Sequence, residues 1–220
     1  MADRDFRVVV LGAGMAGILA GIRLREAGIE NFTIYESADR IGGTWRDNTY
    51  PGLTCDTPSH HYTYSFERNP DWSRFLPPGP EIQAYFQRVT EKYGIVPFIR
   101  FNEEAVRAQF RDGRWHLQFA SGTEDSANLV IAATGVLRVP KYPDIPGIDD
   151  FDGAIFHSSR WDHSVPLDDR RIGVIGNGST GVQLVSALAP RASRLEHFQR
   201  TAQWIMPVDN TPYTAEQRAA

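Results

Sequence analysis

The chain has 220 residues, and 23 Lys and Arg against 27 Asp and Glu give a net charge of −4. The 41% hydrophobic content is typical of a globular protein with a packed core, and the acidic balance gives no electrostatic case for nucleic-acid binding. No apolar run approaches the roughly 20 residues of a membrane span. A single cysteine, Cys55, excludes an internal disulfide and any CxxC redox or zinc site. We therefore predict no metal site and a reducing, cytoplasmic location.

A strand–glycine–helix pattern opens the chain. The apolar run Val8–Leu11 predicts a strand, apolar residues at helical spacing predict a helix that ends at Gly28, and Phe32–Tyr35 predicts a second strand. The glycines between the first strand and the helix are Gly12, Gly14 and Gly17. In a dinucleotide-binding βαβ unit, such glycines allow a tight turn, a close approach to a pyrophosphate and close helix packing.

An acidic residue completes this first pattern. Glu36 lies 24 residues beyond Gly12, at the end of the second predicted strand. A carboxylate there accepts hydrogen bonds from ribose hydroxyls and repels a 2′-phosphate, which predicts a dinucleotide without that phosphate. The alternative is a tight strand–helix turn that binds no ligand.

The middle of the chain changes character. Residues 39–68 show no sustained period, which predicts a long irregular segment, and such segments are usually functional. Residues 80–94 predict an amphipathic helix, and residues 106–119 predict a hairpin that turns at Arg111–Arg114. Residues 129–133 predict a last buried strand, and a Pro- and Gly-rich linker over 140–147 marks a boundary.

A second strand–glycine–helix pattern follows this linker. The strand is predicted from Ile172, the helix ends at Pro190, and Leu195–Phe198 predicts the next strand. Its glycines are Gly176, Gly178 and Gly181. The same distance of 24 residues from Gly176 reaches Arg200, followed by Thr201, and an arginine there accommodates a 2′-phosphate. The second site is thus predicted to take NADP(H), although Arg200 could also be a solvated surface charge.

Two such sites predict two cofactors that exchange electrons, and FAD with NADPH is the natural pair. A disulfide reductase would use the same pair, but the chain lacks a dithiol, which leaves flavin reduction followed by reaction with oxygen. The predicted fold is α/β, with two Rossmann-like dinucleotide-binding folds of FAD/NAD(P)-binding type, the second incomplete. We expect an FAD-binding domain over 1–147, a linker over 148–166 and a partial NADP-binding domain over 167–220.

Three further motifs carry a resemblance to a known family. They are Gly42-Gly43-Thr44-Trp45, the segment Tyr50–Asp56, and Phe151-x-Gly153-x-x-x-His157-x-x-x-Trp161-Asp162. Together with the two glycine motifs, they resemble the class B flavoprotein monooxygenases along essentially the whole chain. Trp161 points to the Baeyer–Villiger monooxygenases within that class.

The resemblance implies roles for individual residues. Those matching positions that line the flavin are Thr44, Trp45, Asp56 and Tyr62, while the backbone of Val106 matches a position that meets the adenine. Asp56 also matches a catalytic-site acid that helps to position an arginine, and Thr54, Cys55 and Asp56 match the nicotinamide end of NADP. Cys55 itself is interpreted as a packing residue, since no His–Cys arrangement supports catalysis. The second motif implies NADP contacts from Gly176, Gly178, Ser179, Thr180, Gly181, Arg200 and Thr201. His157 is implied to be a conformational residue of the linker, with a satisfied buried histidine as the alternative.

The resemblance also implies a reaction. NADPH would reduce FAD, O2 would give a C4a-peroxyflavin, and its attack on a ketone would yield an ester or lactone. An N- or S-oxygenating flavin monooxygenase and a non-catalytic FAD- and NADP-binding fragment are the alternatives. Members of the family continue well beyond the length of this chain, and the family's catalytic arginine has no counterpart here, since Arg46 is not at its position. We therefore expect activity only together with a C-terminal portion or a complementary chain.

Overall fold

The computed structural model describes residues 6–219, which form two compact units. The first unit contains the residues up to Asp47 together with Gln83–Val139, and the second contains Asn48–Ile82 together with the residues from Pro140 onward. Residues 48–82 thus group with the second nucleotide fold, whereas the sequence places them in an FAD-binding domain. The domain limits predicted at 147 and 166 remain a prediction.

Two strand–helix–strand units, over residues 8–35 and 171–198, are separated by a run of consecutive strands in this α/β fold. The strands are β1 (Val8–Leu11), β2 (Phe32–Tyr35), β3 (Ile99–Arg100), β4 (Ala105–Arg111), β5 (Arg114–Phe119), β6 (Glu124–Ala127), β7 (Leu129–Ala132), β8 (Arg171–Ile175) and β9 (Arg194–Phe198). The helices are α1 (Met15–Glu26), α2 (Thr44–Asp47), α3 (Gly79–Lys92), α4 (Ser179–Leu188) and α5 (Ala215–Ala219). Among residues 6–219 there is no helix with the length and apolarity needed to span a bilayer.

A parallel sheet in the order β3-β2-β1-β7 forms the centre of the first unit. Val8, Val9 and Val10 of β1 have no exposed surface, because this strand has neighbours on both sides and is covered on both faces. The predicted strands β1 and β2 and the helix between them, α1, are confirmed. β7 lies at the edge of the sheet, so its predicted full burial is wrong, and Leu129 is 42% exposed.

A three-stranded antiparallel sheet, in the order β4-β5-β6, packs on the parallel sheet. The predicted hairpin is confirmed, and its turn has Asp112 and Gly113 in the left-handed region, at φ 53° and 77°. β6 is absent from the sequence prediction because its residues, Glu-Asp-Ser-Ala, carry no apolar alternation. Only Ala127 of this strand is fully buried, in the core between the two sheets.

A charged network joins the two sheets of this unit. The Arg7 guanidinium pairs with both oxygens of Asp125 on β6 and donates to Thr33 Oγ1 on β2 at 3.0 Å. The Tyr35 hydroxyl donates to Asp125 Oδ2 at 2.7 Å. Burial alone would raise the pKa of Asp125, but the hydrogen bonds from Arg7 and Tyr35 outweigh burial and lower it. Burial and the Asp125 hydrogen bond raise the pKa of Tyr35 to about 12.

The second unit contains the parallel pair β8-β9 and the helix α4. Its core joins Val174 of β8 and Leu184 and Leu188 of α4 to Tyr50. Within the described residues this sheet has only two strands, and Ile175 and Phe198 are more than half exposed at their ends. The predicted α/β fold with two Rossmann-like units is therefore confirmed.

The Arg7–Asp125–Tyr35 network predicts a pH-dependent contribution to stability. Since the folded-state pKa of Asp125 is lowered, the ionised carboxylate stabilises the fold at neutral pH, and this contribution disappears as pH falls through that pKa. We expect Asp125→Asn to cost about 1–3 kcal/mol in free energy of unfolding at pH 7. The difference from wild type should shrink as the medium becomes acidic.

Urea unfolding at several pH values measures this effect. Asp168→Asn is the matched control, because its pair with Arg191 is exposed and should not alter stability detectably. An Asp125→Asn deficit that is the same at every pH would contradict the assignment to the charged form.

Candidate dinucleotide-binding site

The first glycine loop connects β1 to α1 and needs glycine for steric reasons. Gly12 has φ +103°, and its N–H donates to the Tyr35 carbonyl at 2.7 Å. A Cβ on Gly12 would lie 2.5 Å from the Ala133 carbonyl oxygen, and a Cβ on Gly17 would lie 1.8 Å from the Gly12 carbonyl oxygen. At Gly14 the nearest atom to such a Cβ is 3.6 Å away, so the fold does not itself require glycine there. In a dinucleotide-binding loop, the middle glycine instead lets the backbone approach a pyrophosphate.

The Glu36 carboxylate ties the tip of β2 to this loop. Glu36 is 4% exposed, and its two oxygens accept hydrogen bonds from the Ala13 N–H at 2.7 Å and the Ala38 N–H at 3.0 Å. It directly follows β2, as the sequence predicts. The acid therefore lies beside the glycine loop, where ribose hydroxyls of a bound dinucleotide would meet it.

Arg46 is the cation that neutralises Glu36. Its Nη1 lies 2.8 Å from Glu36 Oε1 and its Nε lies 2.7 Å from Asp47 Oδ1, and the side chain is 8% exposed. Burial favours a lower pKa for Arg46, but the two carboxylates outweigh burial and raise the pKa. Because Arg46 is engaged in this way, it supports the fold of the site and does not replace the missing arginine.

The paired glycines of the Gly-Gly-Thr-Trp motif bring α2 to the first glycine loop. Gly42 and Gly43 both have positive φ, and a Cβ on Gly43 would lie 3.2 Å from Gly14 Cα. At Gly42 a Cβ would meet the Gln83 side chain at 1.9 Å, and Gln83 Nε2 donates to the Ile41 carbonyl at 2.8 Å. Thr44 and Trp45 begin α2 directly after this contact, which positions them next to the loop.

The predicted flavin-lining residues are divided between the two units. Thr44, Trp45 and Val106 lie in the first unit with Glu36, whereas Asp56 and Tyr62 lie in the second. Val106 is 62% exposed at a register shift of β4, between Ala105 and Arg107, where its backbone leaves the regular ladder.

The second glycine loop repeats the build of the first. Gly176 has φ +103°, its N–H donates to the Phe198 carbonyl at 2.9 Å, and a Cβ on Gly181 would lie 2.1 Å from the Gly176 carbonyl oxygen. No atom lies within 4 Å of the Cβ that Gly178 would carry. The fold therefore requires Gly181 for packing, and the open space at Gly178 fits a bound phosphate group.

Strand register corrects the predicted equivalence of Glu36 and Arg200. Leu11 pairs with Tyr35, so Glu36 is one residue beyond the paired positions, but Ile175 pairs with Phe198. In the second unit, the residue that pairs with the end of the first strand lies one position earlier in the chain than it does in the first unit. Gln199 is thus the counterpart of Glu36. The equal count of 24 residues is wrong as a structural equivalence.

Arg200 nevertheless remains next to the second glycine loop. Asn177 Nδ2 donates to Gln199 Oε1 at 2.8 Å and to the Thr201 carbonyl at 2.6 Å, so residues on both sides of Arg200 are tied to the loop. Arg200 is exposed, and within residues 6–219 its guanidinium has no hydrogen bond or ion pair. Its predicted contact with a 2′-phosphate stays a prediction.

Asp56 is bonded to the start of α4. The Ser179 hydroxyl donates to Asp56 Oδ2 at 2.9 Å. Sequence reasoning missed the residue that anchors the same segment, Gln183, which bonds to Tyr50 and Thr54. A signal for it was present, since Gln183 interrupts an otherwise apolar run in the helix.

Cys55 is buried, and burial raises the pKa of its thiol. Its sulfur accepts a long contact of 3.4 Å from the Thr57 N–H. A buried, protonated thiol is a poor nucleophile, which agrees with the interpretation of Cys55 as a packing residue.

Two of the fingerprint residues, His157 and Trp161, contact their neighbours in the chain within the second unit. His157 Nδ1 accepts from the Ser159 N–H at 3.1 Å and caps a short 3₁₀ turn over Ser158–Arg160. Burial, and then the charge of Arg160, lower the pKa of His157, so the neutral ring that this bond needs is favoured. Trp161 packs edge-on against Phe156, with ring centroids 5.0 Å apart. These contacts support a structural role for His157.

A cavity of about 470 Å³ lies on the outer face of the antiparallel sheet. It is lined by polar residues that include Arg107, Arg111 and His116, and none of the predicted site residues lines it. The polar side chains there cover the solvent face of the sheet and do not bear on the glycine loops.

Comparison with known proteins places this architecture in a family. The family model described as pyridine nucleotide-disulphide oxidoreductase matches residues 9–216. The chain belongs to that family. Because Cys55 is its only cysteine, this member shares the fold of the oxidoreductases without a dithiol.

Individual relatives of this family member are monooxygenases. An uncharacterized monooxygenase of Mycobacterium tuberculosis is 55% identical over 214 residues, which cover 97% of this chain and 43% of that protein. A Baeyer–Villiger monooxygenase of Streptomyces coelicolor is 43% identical and covers 97% of this chain and 41% of its own. One from Pseudomonas aeruginosa is 39% identical, with 99% and 42% covered. The resemblance to Baeyer–Villiger monooxygenases is confirmed, and the chain spans about two fifths of these relatives.

Solved structures agree with the sequence relatives. Cyclohexanone monooxygenase from Rhodococcus sp. Phi1 bound to NADP+ matches with a TM-score of 0.89 and 36% identity, over 97% of this chain and 41% of that chain. The OTEMO complex with FAD and NADP matches with a TM-score of 0.89 and 34% identity, over 98% and 43%. The backbone of both units therefore has counterparts in flavin- and NADP-bound proteins.

The double role of the Glu36 carboxylate predicts a cost for removing its charge. Both oxygens accept from donors, so the amide of Glu36→Gln must place its NH2 group against a backbone N–H or the Arg46 guanidinium. We expect a loss of about 1–3 kcal/mol in free energy of unfolding, measured by denaturant titration. Glu26→Gln is the control, because its pair with Arg23 is about half exposed. Equal midpoints for the two variants would contradict the role given to Glu36.

Proposed function

We propose that the protein is an FAD- and NADPH-dependent monooxygenase of the Baeyer–Villiger type. It would insert one oxygen atom of O2 next to a ketone carbonyl and give an ester or lactone. The observation that carries this proposal is that one chain presents two glycine loops of the same build, each at the carboxyl end of its own parallel strand pair. The Baeyer–Villiger relatives, at 39% and 43% identity, support the choice of reaction.

The first glycine loop would hold FAD. Gly12, Gly14 and Gly17 form the cradle, and Glu36 lies beside it as the acceptor for ribose hydroxyls. Thr44 and Trp45, at the start of α2, and the irregular backbone at Val106 would extend this surface. Asp56 and Tyr62 would be further contacts of the flavin. When bound, FAD supplies the redox centre for oxygen chemistry, and NADPH supplies the hydride that reduces it.

The second glycine loop would hold NADPH. The open space over Gly178 and the free N–H groups at the start of α4 suit a pyrophosphate. Ser179 and Thr180 begin that helix between Gly178 and Gly181. Arg200 and Thr201, beside the loop, offer a guanidinium and a hydroxyl to a 2′-phosphate.

The chain's own residues prepare this site in two ways. The buried Glu36–Arg46 pair fixes the first loop without leaving an unpaired charge. Ser179 holds Asp56 in one orientation through its hydroxyl. No residue matches the arginine that the resemblance pairs with Asp56, so we propose activity for this chain only together with a further portion or a complementary chain. A cytoplasmic location remains a prediction from the single cysteine.

Anaerobic mixing of the flavin-loaded protein, supplied together with the further portion or complementary chain, with NADPH, followed by O2 and a trial substrate, tests this function. We expect NADPH to bleach the flavin absorbance, and O2 with a ketone to give an ester or lactone. Product from a sulfide and none from a ketone would instead identify the heteroatom-oxygenating alternative. Absence of bleaching, or release of peroxide without organic product, would defeat the proposal for this chain.

The proposed role of Arg200 predicts a change in cofactor preference. Arg200→Gln should weaken NADPH binding about 10- to 100-fold, because one charge-assisted contact to a phosphate is lost, and should leave NADH binding nearly unchanged. Titration of both dinucleotides by calorimetry measures the change. Arg170→Gln is the control, since Arg170 precedes β8 and lies at the end of the strand opposite the glycine loop. An equal loss for NADPH and NADH would contradict the 2′-phosphate assignment.

A further inference from the structure

One side chain of α4 makes most of the polar contacts with the Tyr50–Asp56 segment. The Tyr50 hydroxyl donates to Gln183 Oε1 at 2.8 Å, and Gln183 Nε2 donates to the Thr54 carbonyl at 3.0 Å. The Thr54 N–H also approaches Gln183 Oε1 at 3.5 Å. Both ends of the amide are therefore used, and they hold the segment at two separate points.

The backbone of the segment packs directly on the helix. Gly52 has φ +83°, and a Cβ there would lie 2.8 Å from both the Gln183 carbonyl oxygen and Ala187 Cβ. The Tyr50 ring is buried in one core with Leu184 and Leu188 of α4. Close packing and the Gln183 bonds together make the segment move with the helix.

The far end of the segment reaches the start of the same helix. Asp56 accepts a hydrogen bond from Ser179, the residue that follows Gly178 in the glycine loop. The open face of the loop and the Asp56 carboxylate therefore lie within one turn of α4.

We propose that Gln183 is a positioning residue that fixes the Tyr50–Asp56 segment to α4 and so couples dinucleotide binding at the second glycine loop to the orientation of Asp56. This inference rests on the proposed function, because it requires NADP(H) at that loop. Coupling of this kind is reciprocal: a dinucleotide that orders the loop also orders the segment, and a fixed segment strengthens dinucleotide binding. A purely structural Gln183 would change stability but not the response of the segment to a ligand.

Hydrogen exchange without turnover separates these cases. In the wild-type protein, we expect NADP+ to slow amide exchange both in residues 176–188 and in the Tyr50–Asp56 segment. In Gln183→Met, the slowing should persist in residues 176–182 and disappear from the segment. The dissociation constant for NADP+, measured by calorimetry, should rise about 5-fold or more. Ser186→Ala is the matched control on the same helix, because its hydroxyl bonds only to the Val182 carbonyl, and it should behave like wild type.

Tyr50→Phe gives a second test that keeps the core filled. It removes the hydroxyl that bonds to Gln183 while the ring stays in place, so it should show the same loss of segment protection to a smaller degree. Segment protection in Gln183→Met equal to that of wild type, or an unchanged dissociation constant beside a lowered melting temperature, would overturn the inference. If NADP+ slows exchange nowhere in residues 176–188 of the wild-type protein, the proposed function fails and the inference fails with it.

Discussion

The close approach of a helix to the loop that precedes it is the constraint on which both nucleotide folds depend. In each fold the third glycine of the motif faces the carbonyl of the first, and no side chain fits between Gly17 and Gly12 or between Gly181 and Gly176. This approach points the free N–H groups of the helix toward the space above the loop, where an anion is stabilised. The middle glycines, Gly14 and Gly178, are not required by this packing, because the fold alone leaves room for a methyl group at both positions.

The sequence predicted the parts of the fold whose signals are local. Val8–Leu11 is a continuous apolar run because β1 is buried on both faces. The turn of the hairpin between β4 and β5 was predictable from residue type alone, since it contains Asp112 and Gly113. β6 escaped prediction because its polar residues are held by partners distant in the chain, as Asp125 is held by Arg7. The partial exposure of β7 could not be predicted either, since it depends on which strand stands beside it.

The candidate site was predictable where a sequence motif fixes the backbone. It was less predictable where the register between two strands decides which residue lies beside the loop. Glu36 lies beside its loop as expected. A count of residues could not reveal that the register of β9 on β8 is one residue shorter than that of β2 on β1, so that Gln199 occupies the position equivalent to Glu36. The grouping of residues 48–82 with the second fold was also hidden, because the contacts that join them, those of Gln183 among them, are tertiary. Asp56 and the second glycine loop thus belong to one packed unit.

The burial of Cys55 has a consequence for oxidative damage. Hydrogen peroxide attacks thiolates before thiols. Cys55 is 3% exposed and is held protonated by burial, so it is protected from such attack. Among the described sulfur atoms, that of Met206 lies in the most accessible side chain, at 80% exposed. Oxidation of a methionine to its sulfoxide is reversible by reductases, whereas over-oxidation of a cysteine is not.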